Sequence, residues 1–260
     1  MRALSVLVFV LSSIFFSSCE SEGGVESDFN VEHYHFEVKE TRCSYKDCDI
    51  NEGDCSYISI NYPQFTHQEG DEVLSKISES INRIILGEEA SNPKELCDQF
   101  IIDYDSFKKD SIFLEDDYNI AWYDIREAEW LSIQKRVLSF SCNINSFYGG
   151  AHPNEYIYLR NFDPQTGDSL GLTMIFNEAS LKEVTKIGEN IFRKNYDIDP
   201  QTSFDSKGYW FENNVFELST NFAFTDQGLL FYYNSYDIAP YSMGPSEILI
   251  PYSIIMHLFK

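Results

Sequence analysis

Apolar and polar positions alternate along residues 31–40 and 57–62, the period of a half-buried strand, and Pro63 is expected to end the second run. From residue 69 to 86 the period lengthens. Val73, Ile77, Ile81, Ile84 and Ile85 recur at helical spacing, and Gly87 fits a helix stop. Pro93 stands where a first helical position is expected, and residues 94–109 continue as a second helix. Residues 121–133, 135–146 and 154–162, rich in tryptophan, tyrosine, valine and isoleucine, predict three strands of a meander. Asp163-Pro164-Gln165-Thr166-Gly167 is a turn by its chemistry. Residues 170–176 predict a short strand. Asn177 or Glu178 opens a helix to about Tyr196, with Leu181, Val184, Ile187 and Ile191 on one face. Residues 214–224 and 229–233 predict a hairpin about Asp226-Gln227-Gly228. Residues 247–250 predict another strand, and Pro251 begins a terminal helix ending at Lys260. The fold class expected is α+β, with mainly antiparallel sheets and packed helices.

The first residues carry a different pattern. Arg2 is followed by an apolar run from Ala3 to Phe16 broken only by serines, the length of an export signal and too short to span a bilayer comfortably. Ser17 and Ser18 supply the small side chains that a signal peptidase needs, although Phe16 stands where leucine is usual. Cys19 then sits where bacterial lipoproteins receive their diacylglyceryl group. Residues 1–18 are therefore expected to be a lipoprotein signal peptide, with lipid attachment at Cys19. Residues 19–30 are acidic and contain Gly23 and Gly24, and read as a tether. The expected location is the bacterial cell envelope, lipid-anchored in the outer membrane, on its periplasmic or cell-surface side. Two or three acyl chains hold a protein at a membrane where one does so only marginally.

Composition narrows the function. Of 260 residues, 43% are hydrophobic and 16% aromatic, enough for a packed core. The formal net charge of −23 repels phosphates, so nucleic acid is not an expected partner. The same charge steers cations and basic proteins toward the chain, and it also serves solubility. Six cysteines occur, and an exported compartment permits disulfides. With Cys19 given to lipid, five remain, so at least one thiol stays unpaired. Cys43, Cys48 and Cys55 lie close enough for a bridge among them to staple an early loop. Their spacing lacks the paired Cys-x₂-Cys of a zinc site. His33 and His35 share a strand face with Glu37 within reach, and Asp116 and Asp117 are adjacent carboxylates. A surface pair and a solvated acidic run are the expected readings, so no metal or cofactor is expected. No catalytic residue is assigned, because nucleophile-elbow, phosphate-loop and paired-zinc patterns do not occur.

Three segments carry a resemblance. They are Phe147-Tyr148-Gly149-Gly150-Ala151-His152-Pro153; Asn161 through Gly167 with its apolar continuation to Phe176; and Asn221 through Phe231 with Tyr236-Asp237-Ile238-Ala239-Pro240-Tyr241 and the strand ending Ile250-Pro251-Tyr252. In this order they resemble the PdaC/RsiV-like family, over roughly residues 31–260. The resemblance implies a two-part α+β architecture, 31–167 and 168–260. Its members include a lysozyme-sensing anti-sigma factor and the non-catalytic part of a peptidoglycan deacetylase. The histidines His33, His35, His67, His152 and His257 lack the His-x₃-His pair of that enzyme's separate catalytic module. An anti-sigma factor's membrane helix and cytoplasmic segment are not found either. The expected function is thus a non-enzymatic envelope lipoprotein that binds a ligand, a lysozyme-like cationic protein or a cell-wall glycan. A cell-wall glycan hydrolase or esterase with an unrecognised site, and a purely structural envelope protein, are the alternatives. Paired glycines free the backbone, a histidine adds a titratable donor, and tyrosines combine apolar area with a hydroxyl. The candidate ligand-binding residues are therefore Tyr148, Gly149, Gly150, His152, Tyr236 and Tyr241.

Overall fold

The computed structural model describes residues 34–66, 70–88, 90–111, 120–134 and 137–260. The signal and tether with Cys19, His33, His67 and the pair Asp116 and Asp117 lie outside the described residues.

Five strands form the first sheet: β1 (Phe36–Ser44), β2 (Tyr57–Phe65), β3 (Tyr123–Gln134), β4 (Val137–Phe147) and β5 (Asn154–Phe162), in that spatial order. All neighbours are antiparallel except β2 and β3, which run parallel because two helices, α1 (Glu72–Leu86) and α2 (Pro93–Ser111), form the crossover between them. Asp71 caps α1 by accepting from the Leu74 amide, and Gly87 leaves its C-terminus at φ 72°. Leu74, Ile77, Ile81 and Ile85, one stripe of α1, are buried with Ile58 and Ile60 of β2 and Phe140 of β4. Pro63 does not end β2 as its sequence suggests. The β2–β3 pairing runs only from Tyr57 to Asn61, so Pro63 has a strand neighbour, Val38, on one side alone, where a missing N–H is tolerated.

Two disulfides fasten the start of this sheet. Cys48–Cys55 closes the loop between β1 and β2, while Cys43 of β1 pairs outside the expected trio, with Cys97 of α2. Cys142 on β4 is the free thiol among the described cysteines, fully buried, with its pKa pushed up to about 12 by burial.

The second sheet is smaller: β6 (Phe222–Phe224), β7 (Gly228–Tyr233) and β8 (Ser246–Pro251), all antiparallel. Helix α4 (Glu178–Asn195), capped by Asn177, packs on β8. Its buried stripe is Ser180, Val184, Gly188 and Phe192, with the expected Leu181, Ile187 and Ile191 partly buried beside it. Gly188 makes the packing close there: a Cβ would lie 2.7 Å from the Leu218 side chain, which would have to shift to admit it. Three expectations are corrected. Residues 170–176 contain a helical turn, α3 (Leu172–Ile175), not a strand, because the Phe176 amide bonds back to the Leu172 carbonyl and only Ser169 and Phe176 make isolated bridges. The first arm of the hairpin shrinks to Phe222–Phe224, the segment before it being irregular. Pro251 belongs to β8, and the terminal helix is the single turn α5 (Tyr252–Ile255) followed by a 3₁₀ turn, pulled away from regular geometry by the Phe176–Phe259 bridge.

A polar seam joins the sheets. Ser132, Ser139 and Asn161, all buried on the first sheet, satisfy the backbone of β6: the Asn161 amide donates to the Phe222 carbonyl at 2.7 Å and Ser132 to the Phe224 carbonyl at 2.5 Å, while the Phe224 amide donates to Ser139 at 3.2 Å. The open edge of β5 is closed by side chains rather than a sixth strand. Asn221 accepts from the Leu159 amide and donates to the Ile157 carbonyl, and Asn234 accepts from the Ile157 amide. Asn221→Ala is expected to cost about 1–3 kcal/mol, the desolvation of the groups it strands. Denaturant unfolding checks this, with faster hydrogen exchange at the Leu159 amide; an unchanged midpoint would remove the clamp from the account.

Candidate functional site

The β4–β5 turn and the loop between β7 and β8 meet at the surface. Gly149 and Gly150, at φ 82° and 131°, adopt backbone that a side chain disfavours and turn the chain sharply after β4. His152 follows and stacks on Tyr241 at 3.6 Å between ring centroids, with 13° between planes. The Tyr241 hydroxyl donates to the Pro153 carbonyl at 3.2 Å, and His152 Nδ1 lies 2.8 Å from that same oxygen. Tyr236 completes the group 5.9 Å from Tyr241. Its backbone is left-handed at φ 73°, uncommon for a bulky residue. The loop enforces this: the Tyr236 amide bonds to the Ala239 carbonyl, the Asp237 amide to the Asn234 carbonyl, and the Asp237 carboxylate accepts from the Asn234 amide. The outcome is a tyrosine 51% exposed on a hydrogen-bonded loop.

Behind this shelf runs an aromatic row across the first sheet. Tyr57 and Tyr123 stack at 6.5 Å, and Tyr123 and Phe147 lie 6.2 Å apart. Burial, and then the nearby hydroxyls of Tyr57 and Tyr241 and the Glu155 carboxylate, raise the Tyr123 pKa. Burial first, and then Glu155 and Glu247, push Tyr232 up to about 12. These phenols stay protonated at neutral pH and serve as hydrogen-bond donors and flat apolar faces.

Tyr148, in contrast, does not join the shelf. Its hydroxyl donates to Asp124 Oδ2 at 2.5 Å, and its ring packs near Trp122 and Phe100. Asp124 is wholly buried, and Arg126 grips it through Nε at 3.0 Å and Nη2 at 2.7 Å. Arg126 Nη1 also donates to the Ile85 carbonyl in the last turn of α1. Burial and then the Asp124 charge raise the Tyr148 pKa far above the ordinary phenol. Sequence reasoning misses Asp124 and Arg126 because an Asp-x-Arg pair on a strand reads as solvated surface. Only the crossover helices bury it. The Asp124 carboxylate is thus held by Arg126 and Tyr148, while the buried Trp122 Nε1 beside them has no hydrogen-bond partner among the described residues.

The other candidates disperse. His35 is exposed and far in the chain from the shelf, and among the described residues no group of three His, Cys, Asp or Glu could hold a metal ion. No helix among the described residues is long and apolar enough to cross a membrane. Two of the three recurrent segments work for the fold: Asn161 and Asn221, which open them, are the seam and edge residues.

Residues 50–155 match the family model described as Deacetylase PdaC, and residues 174–253 match the family described as protein of unknown function DUF3298. No curated protein matches significantly. Among solved structures, a DUF3298 family member from Bacteroides fragilis NCTC 9343 is 22% identical with a TM-score of 0.65, covering 88% of this chain and 95% of its own. A DUF3298 family protein from Pseudomonas aeruginosa PAO1 is 16% identical with a TM-score of 0.59, covering 88% and 96%. At these identities the likeness concerns the fold, an α+β arrangement of two mostly antiparallel sheets. A PdaC match followed by a DUF3298 match accords with the PdaC/RsiV-like resemblance carried by the motif segments.

Proposed function

We propose that the chain is a lipid-anchored envelope protein whose domain binds a cell-wall glycan on the His152–Tyr236–Tyr241 shelf, without chemistry of its own. The observation that carries this reading is Tyr236: a half-exposed side chain is held in left-handed backbone by three hydrogen bonds within its loop, beside a stacked His–Tyr pair. Local strain of this kind persists where surroundings over-determine it, and it concentrates at binding surfaces. Flat aromatic faces with hydroxyl and imidazole donors suit sugar rings, whose one side is apolar and whose edge is polar. The export signal and Cys19 expected from the sequence support a location where such glycans occur.

The test is titration with soluble cell-wall fragments. Tyr236→Gly is expected to keep or raise stability, because glycine adopts φ 73° without strain. It should weaken binding about tenfold, the loss of roughly one aromatic contact. Tyr241→Ala should weaken it as much. Wild-type affinity in both variants would end the glycan reading. The mass of the mature amino terminus checks the anchor, with a lipid-modified Cys19 expected.

A further inference from the structure

A groove elsewhere on the domain has no role in the shelf. Past the Asn61–Glu127 pair, β2 and β3 stop pairing, although β3 continues to Gln134. The gap forms a groove of about 530 Å³. Phe36 and Trp130, stacked at 5.6 Å, and Val38, 64% exposed, make its apolar lining. Glu127 and Glu129 stand on the β3 side and Glu40 on the β1 side. Register places Glu40, Asn61 and Glu127 in one row across three strands, and Asn143 of β4 stands next in it. Asn61 donates to Glu127 at a long 3.4 Å, Arg42 pairs with Glu40, and Glu129 has no ion pair among the described residues. The Asn143 side-chain oxygen, Oδ1, is buried without a partner. Acceptors therefore outnumber donors along an apolar groove.

We infer that this groove docks an extended, basic segment of a partner protein. Three features converge on that occupant. The β3 edge from Ala128 to Trp130 has no strand beside it on the β2 side among the described residues, so it offers main-chain groups to an added strand. Carboxylates on both walls complement lysine or arginine, and the chain's charge of −23 steers such a segment inward. The apolar lining accepts the methylene stems of such side chains. Alternate residues of an extended peptide point the same way, so a Lys-x-Lys spacing matches Glu127 and Glu129, two apart on one face.

The probe is a capped alternating Lys-Val octapeptide, titrated calorimetrically into the protein at low salt. The Glu127→Gln/Glu129→Gln variant should bind about fivefold more weakly, as two partly exposed ion pairs predict. A matched control, Glu178→Gln/Glu183→Gln on exposed α4, removes the same charge and should bind as wild type. Methylating the peptide's backbone amides should also weaken binding, because an added strand needs them. Equal losses in the two variants would reduce the effect to general charge attraction and overturn the inference. So would indifference to backbone methylation, or spermine binding as tightly as the peptide, which would make the groove a site for small cations. The shelf variant Tyr236→Gly should leave peptide binding untouched, which keeps the two sites separately testable.

Discussion

Asp124→Ala should lower stability by about 3–5 kcal/mol, the cost of stranding a buried charge, here the Arg126 guanidinium. For a unit of this size the melting temperature should fall by roughly 10 °C. The reasoning rests on geometry. Asp124 has no exposed surface, and its oxygens receive two donors from Arg126 and one from Tyr148. Losing the carboxylate leaves a cation whose remaining partners, the Ile85 carbonyl and the Tyr148 hydroxyl, carry no opposing charge. The α1 terminus should then loosen, because that carbonyl depends on a guanidinium positioned by Asp124. Tyr148→Phe removes a single hydrogen bond and should cost less, about 1–2 kcal/mol. The double change Asp124→Leu/Arg126→Met should recover much of the loss, since it deletes both charges together. Thermal melts of the three variants check the ranking. Were the double variant no better than Asp124→Ala, the cost would lie in packing and not in the unpaired charge.

Opening Cys43–Cys97 should be the second large effect. The bridge spans 54 residues, and loop-closure entropy assigns it about 4 kcal/mol, against about 2 kcal/mol for Cys48–Cys55 with a separation of 7. Its position adds to this. β1 is an outer strand whose one strand partner is β2, and Cys97 ties it to the crossover helix behind the sheet. Cys43→Ala/Cys97→Ala should therefore unfold at lower denaturant than Cys48→Ala/Cys55→Ala, and its β1 amides should exchange faster. The opposite order would mean that the short loop, not the sheet edge, limits stability. Cys142 should stay inert to alkylating reagents in the folded protein, since its buried thiol gives almost no thiolate at neutral pH.

Much of the architecture was legible because local chemistry and tertiary packing agree. The period change at α1, its Gly87 stop, Pro93 at the head of α2 and the alternating runs of β3, β4 and β5 are one-dimensional signals of burial on one face. Where the two disagree, the sequence misleads. Leu172 to Ile175 has strand-like composition, yet it forms one helical turn between Ser169, which bridges nearby Phe162, and Phe176, which bridges distant Phe259. Pro63 looks like a strand end, and only the splaying of β2 from β3 makes it harmless. The candidate site divides in the same way. Gly149, Gly150 and His152 stand out as punctuation with a titratable group, and Tyr236 and Tyr241 as loop aromatics. That His152 stacks on a residue 89 positions later, while Tyr148 turns inward to Asp124, depends on which loops the sheets bring together.

The sequence by itself determines the α+β class, the placement of most strands and helices and the acidic charge, because each follows from composition or from periodicity within a few residues. The tertiary structure alone decides the partner of Cys43, the burial of Asp124 with Arg126, the asparagine clamp on β5 and the meeting of the two loops at the shelf. Those are relations between residues tens of positions apart, and such distances are set by how the helices and sheets pack, not by any pattern that a local stretch of chain can display.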